Sequence, residues 1–167
     1  MIFGTTYAVF VGFIMGALAL PPSWSDLEKD NKFSMTVGAN NPDKSSKGND
    51  GIISAEYRPT QELFYGFQPL YAAGLSVDGA GYATVGIRKG FDFGMARVEP
   101  YIGPAIYQSS LGNFRVNELI QFRTGFDVFL GSDDLAFGGG FYHISNCNLN
   151  EQSAGLDIIH ATVKMKF

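Results

Sequence analysis

His143 and Ser145 stand two residues apart in the segment Phe141-Tyr142-His143-Ile144-Ser145-Asn146, and Asp157 follows beyond a polar stretch. A hydroxyl, an imidazole and a carboxylate are the parts of an activated nucleophile, its general base and the group that orients the base. A His-x-Ser pair is common by chance, so the pair carries meaning only if the chain is built to bring the three together. The other candidates for chemistry are weaker. Cys147 is the one cysteine, which excludes an intramolecular disulfide or a cysteine metal cluster. Gly138-Gly139-Gly140 has no phosphate-loop context and reads as room for a bulky neighbour or a lipid chain.

The elements that must position these residues are strands. After about Asp26 the chain breaks into short strand-like segments separated by turn chemistry, at approximately 32–40, 51–58, 63–76, 81–90, 95–107, 116–130, 134–146 and 155–167. Long polar connections, Asn40 to Asp50 and Asn146 to Ala154, contrast with tight turns at Arg58-Pro59-Thr60-Gln61 and Gly131-Ser132-Asp133-Asp134. Long loops at one end and short turns at the other are how a transmembrane barrel treats its outer and periplasmic ends. The expected fold is therefore all-β, an eight-stranded antiparallel up-and-down transmembrane barrel.

Composition agrees. Only 17% of the 167 residues are charged, where a soluble domain carries about a quarter. The net charge of −4 comes without a basic patch, which argues against nucleic acid as a partner. The run Ala8 to Leu20 has the length of a signal-peptide apolar region and is short for a membrane span. It ends in Ala17-Leu18-Ala19 and is followed by Ser23-Trp24-Ser25, so cleavage is expected near residue 19 or 25. That divides the chain into a signal peptide over 1–25 and a barrel over 26–167. No Lys or Arg precedes the apolar run, which departs from the usual pattern.

Which face of the barrel is apolar decides its solvent. Segment 116–130 carries Ile120, Phe122, Phe126, Val128 and Leu130 on one face and Gln121, Arg123 and Asp127 on the other. The last segment carries Ile159, Ala161, Val163, Met165 and Phe167 against His160, Thr162, Lys164 and Lys166. A soluble ligand-binding barrel would turn the apolar set inward. An eight-stranded barrel, however, has an interior that side chains just fill, where Glu56, Arg58, Glu99, Arg123, Asp127 and Lys164 can pair. The signal region and the terminal aromatic favour the membrane version.

With the apolar face outward, its exceptions become informative. Period-two alternation puts His143 and Ser145 on the face of Leu135, Phe137 and Phe141, and puts Asp157 on the face of Ile159. Polar groups facing hydrocarbon are costly unless they find partners. A hairpin centred near Asn150 pairs positions summing to about 300, so His143 faces Asp157 with Ser145 next outward. At ~3.3 Å per residue and a tilt near 40°, Asp157 lies roughly 25 Å above the C-terminal end, at the outer-leaflet interface. His160 falls on the inward face and reads as a lumen histidine. Tyr65, Tyr71, Tyr101, Tyr107 and Tyr142 read as girdle or lumen residues.

The string His143-Ile144-Ser145-Asn146, followed by Gly155-Leu156-Asp157 and a final strand ending in Phe167, resembles the lipid A 3-O-deacylase family of outer-membrane acyl hydrolases. The match of motif covers the last quarter of the chain; elsewhere the agreement is of architecture. The resemblance implies an outer-membrane enzyme that acts on lipopolysaccharide without a cofactor, with Ser145 as nucleophile, His143 as base and Asp157 as the orienting carboxylate. Two departures stand out. The family carboxylate is commonly Glu, and the loop before Gly155 reads Gln152-Ser153-Ala154 where relatives often carry Asn. Asn146 is then the side-chain candidate for an oxyanion donor, which requires β-alternation to end before it. The competing expectation is a non-enzymatic small barrel with a structural, adhesive or lipid-binding role, and monomer and homodimer both stay open.

Overall fold

The computed structural model describes residues 12, 14–21, 23, 26–40, 51–77, 79–108, 120–145 and 155–167. Among these the strands are β1 Lys32–Asn40, β2 Gly51–Arg58, β3 Gln68–Ser76, β4 Gly81–Arg88, β5 Phe91–Phe93, β6 Ala96–Gln108, β7 Ile120–Gly131, β8 Leu135–Ser145 and β9 Leu156–Lys166. β1 to β4 pair antiparallel in sequence order, as do β6 to β9, and β4 and β5 both pair with β6. β1 pairs with β9 from Lys32↔Lys166 to Asn40↔Ile158, which closes the sheet. β4 and β5 are two parts of one wall strand, so the architecture is a closed eight-stranded antiparallel barrel.

Two local departures from the expected segments have physical causes. The third strand begins at Gln68, not near 63. Tyr65 and Gly66 both take positive φ, 52° and 78°, and fold residues 63–67 back on themselves through Leu63 N–H to Phe67 O and Phe67 N–H to Phe64 O. Consecutive positive φ is hairpin-turn geometry. The fourth wall strand is interrupted at Lys89-Gly90. There the Gly90 carbonyl accepts from the Asp26 N–H at 2.8 Å, and the Arg97 guanidinium lies where a Cβ on Gly90 would sit.

Alternation sorts the side chains as an inverted protein. Outward positions such as Val37, Ile53, Leu75, Val85, Ile106, Phe137 and Ile159 are exposed, whereas Arg58, Arg88, Glu99 and Arg123 are fully buried. Inside, Arg58 meets Glu56, Glu99 and Asp127. Arg123 meets Glu56 at 2.5 Å, Lys164 meets Glu28 and Glu99 at 2.6 and 2.8 Å, and His160 Nε2 meets Asp127 at 2.7 Å. Charges removed from water survive only when paired in this way. The upper lumen is aromatic: Tyr82, Tyr101 and Tyr142 surround the Arg123 guanidinium at 4.3–5.5 Å from their ring centroids.

At the end of the tight turns, Tyr57 stacks with Tyr71 and meets Phe167 at 5.7 Å between centroids, one arc of an interfacial girdle. A helical stretch over 14–18 packs Ile14 and Leu18 with Phe67. No helix among the described residues is long and apolar enough to cross a membrane.

Candidate active site

The site is built on the β8–β9 hairpin. Its register runs from Leu135↔Met165 to Ile144↔Leu156 with His143 directly opposite Asp157, as the hairpin count requires. On the other side β7 places Thr124 beside His143 and Phe122 beside Ser145. One rung of the wall is therefore Thr124, His143, Asp157, and the rung below it is the apolar Phe126, Phe141, Ile159. All six follow the outward phase of their strands. A one-residue slip would turn the whole set into the lumen, so the apolar stripes that fix the outward face also fix the face of the site.

Outward phase does not here mean exposure. Phe137 and Ile159, on the same faces, are 59% and 60% exposed, but His143, Ser145 and Asp157 are each under a tenth exposed. The polar cluster is thus more shielded than its apolar neighbours, of which Phe122, Phe126 and Phe141 are half-buried and Ile159 is open. Shielding strengthens electrostatic contacts between its members.

The histidine and the carboxylate are brought into direct contact: His143 Nδ1 lies 2.5 Å from Asp157 Oδ1. The short aspartate side chain reaches the ring because β8 and β9 pair directly at this rung. With Nδ1–H donated to the carboxylate, the neutral ring presents Nε2 as an acceptor. Ser145 lies two residues on along the same face, about 6.6 Å further along the strand at ~3.3 Å per residue. Asn146, the expected oxyanion donor, and Cys147 lie outside the described residues.

Thr124 belongs to the cluster and was not among the expected site residues. Its hydroxyl-bearing side chain is buried next to His143. The signal for it was present: it is the one polar break in the stripe of Ile120, Phe122, Phe126, Val128 and Leu130, at the height of the breaks in the next two strands. His160 is kept out of the site by its lumen contact with Asp127.

A carboxylate-bound imidazole beside a serine on one shielded face can perform acyl transfer. Comparison with known proteins points the same way. The family model described as lipid A 3-O-deacylase (PagL) matches residues 32–166. A crystal structure of the outer membrane enzyme PagL is similar with a TM-score of 0.60 at 15% identity, covering 81% of this chain and 99% of that one. A de novo designed transmembrane β-barrel is similar with a TM-score of 0.57 at 13% identity, covering 86% and 99%. At these identities the likeness to the solved structures is one of fold. No curated protein matches the chain.

Proposed function

The chain belongs to the lipid A 3-O-deacylase (PagL) family, and from that premise we propose that this outer-membrane barrel removes an ester-linked 3-O-acyl chain from lipid A through Ser145, His143 and Asp157. The observation that carries the catalytic assignment is the 2.5 Å contact between His143 Nδ1 and Asp157 Oδ1 on a shielded outward face. Such a pair has no evident use on a wall that otherwise needs only to be apolar.

In the first half-reaction Ser145 Oγ bonds to the ester carbonyl carbon while its proton passes to His143 Nε2. The tetrahedral intermediate collapses, the bond from the acyl carbon to the sugar oxygen breaks, and the imidazolium returns the proton to that oxygen. Asp157 holds the tautomer and stabilises the imidazolium throughout. Water then attacks the acyl-serine, giving its proton to His143. Collapse of that intermediate releases the fatty acid and restores the serine hydroxyl. Backbone N–H groups beyond Ser145, with Asn146, are the proposed donors to the oxyanion.

The height of the site supports the substrate assignment. A position roughly 25 Å above the tight-turn end meets the outer leaflet at its interface, where the acyl esters of lipid A lie. The test is release of hydroxy fatty acid from lipid A in mixed micelles by the purified, folded barrel. Ser145→Ala is expected to keep the fold and lose release; release at the wild-type rate would refute the assignment. Residues 1–25 are further proposed to be removed on export, and N-terminal sequencing of the membrane-inserted protein should begin near residue 20 or 26. A start at residue 1 would contradict this.

A further inference from the structure

Gly155 stands just before β9, and continuing the β8–β9 register by one residue sets it across from Ser145. A Cβ built on it would lie 2.2 Å from His143 Cε1, 2.6 Å from Nε2 and 3.4 Å from Nδ1. All three of the nearest atoms belong to one imidazole. The ring thus leans from its own rung over the Gly155 backbone, with its Nε2 edge toward the rung of the serine and its Nδ1 on Asp157.

Nothing else at this position asks for glycine. Among the described glycines, positive φ occurs at Gly66, Gly79, Gly94 and Gly131, and Gly155 is not one of them. Gly103 and Gly125 are a different case, since a Cβ there would run into neighbouring-strand backbone at 2.4–2.5 Å. At Gly155 the group that must yield is a side chain. The ring cannot yield freely, because moving it breaks the contact with Asp157, and Thr124 stands on its other side.

We propose that Gly155 is a positioning residue of the hydrolase: the space of its missing side chain is where the imidazole sits, aimed at Ser145. This rests on the Ser145–His143–Asp157 reading given above. A misplacement of about 1 Å in a base costs on the order of a hundredfold in rate, and a methyl group at 155 demands at least that.

The test uses the folded barrel in micelles, with lipid A hydrolysis and the rate at which a fluorophosphonate probe modifies Ser145 as readouts. Gly155→Ala is expected to lower kcat about a hundredfold with KM little changed, and to slow probe labelling by a similar factor. On a His143→Ala background the same substitution should change neither, because residues acting as one unit are not additive. Gly51→Ala, whose Cβ would meet nothing closer than 3.6 Å, should keep wild-type activity. Wild-type activity in Gly155→Ala would overturn the inference, and so would an equal further loss on the His143→Ala background. Should Gly155→Ala fail to fold, removing the ring must restore folding in the double variant; failure there too would overturn it. If Ser145 is labelled and Ser145→Ala is inactive while Gly155→Ala is unimpaired, this inference alone falls. If Ser145 resists the probe and Ser145→Ala stays active, the triad reading falls and takes it along.

Discussion

In the proposed mechanism Asp157 has two roles that separate by substitution: its negative charge stabilises the imidazolium, and its acceptor oxygen selects the tautomer with the proton on Nδ1. Asp157→Asn keeps the shape but offers an amide in place of the acceptor, so His143 can turn its ring or its tautomer the wrong way. The expected result is a fall in kcat of about 10³–10⁴-fold with the barrel intact, measured as hydroxy fatty acid release. A loss below about tenfold would mean that the 2.5 Å contact is structural only. The residues of this cluster were unequally legible. His143, Ser145 and Asp157 announced themselves as polar breaks in apolar stripes. Thr124 did so only once its strand was aligned beside β8, and Gly155 stood in the sequence only as part of the string Gly155-Leu156-Asp157, because a glycine before a strand reads as punctuation until the ring above it is seen.

At the scale of the hairpin, register is everything: the apolar stripes exclude a one-residue slip, and centring the hairpin near Asn150 selects the pairing. The count of 300 across β8 and β9 holds for every pair from Leu135↔Met165 to Ile144↔Leu156. What could not be read were the places where backbone geometry, not side-chain pattern, decides: the fold-back at Tyr65-Gly66 and the break at Gly90. The tight turn that launches β8, expected over Gly131-Ser132-Asp133-Asp134, was legible, although its backbone angles were not. Gly131 has φ 141°, and a Cβ there would come within 2.6 Å of Leu135 O. Gly131→Ala should therefore cost about 1–3 kcal/mol, seen as a lower urea midpoint for the folded band in unheated gel electrophoresis. An unchanged midpoint would show that the turn re-forms without strain.

The whole molecule is a charged interior inside an apolar sleeve. Alternation placed Glu56, Arg58, Glu99, Arg123, Asp127 and Lys164 inside from sequence alone, but it could not say which partners each would take. Arg58 proves to be the hub, in contact with three carboxylates. Replacing it by Leu leaves those carboxylates buried beside fewer cations, and removal of one partner from a buried pair costs about 3–5 kcal/mol. Arg58→Leu should accordingly unfold at much lower urea, while double replacement of Arg58 and Glu99 by apolar residues should recover part of the loss. A rim charge pair such as Lys166–Asp30 should matter far less, at ~0–1 kcal/mol. On the proposed function the same sleeve would set the polar cluster, on the outer wall near the loop end, at the ester level of the outer leaflet. The most direct test is mass spectrometry of lipid A from cells carrying the wild-type protein, the Ser145→Ala variant or neither. The account predicts that lipid A loses the mass of one hydroxyacyl chain with the wild-type protein alone. Lipid A unchanged by the wild-type protein, or shortened equally by Ser145→Ala, would contradict it.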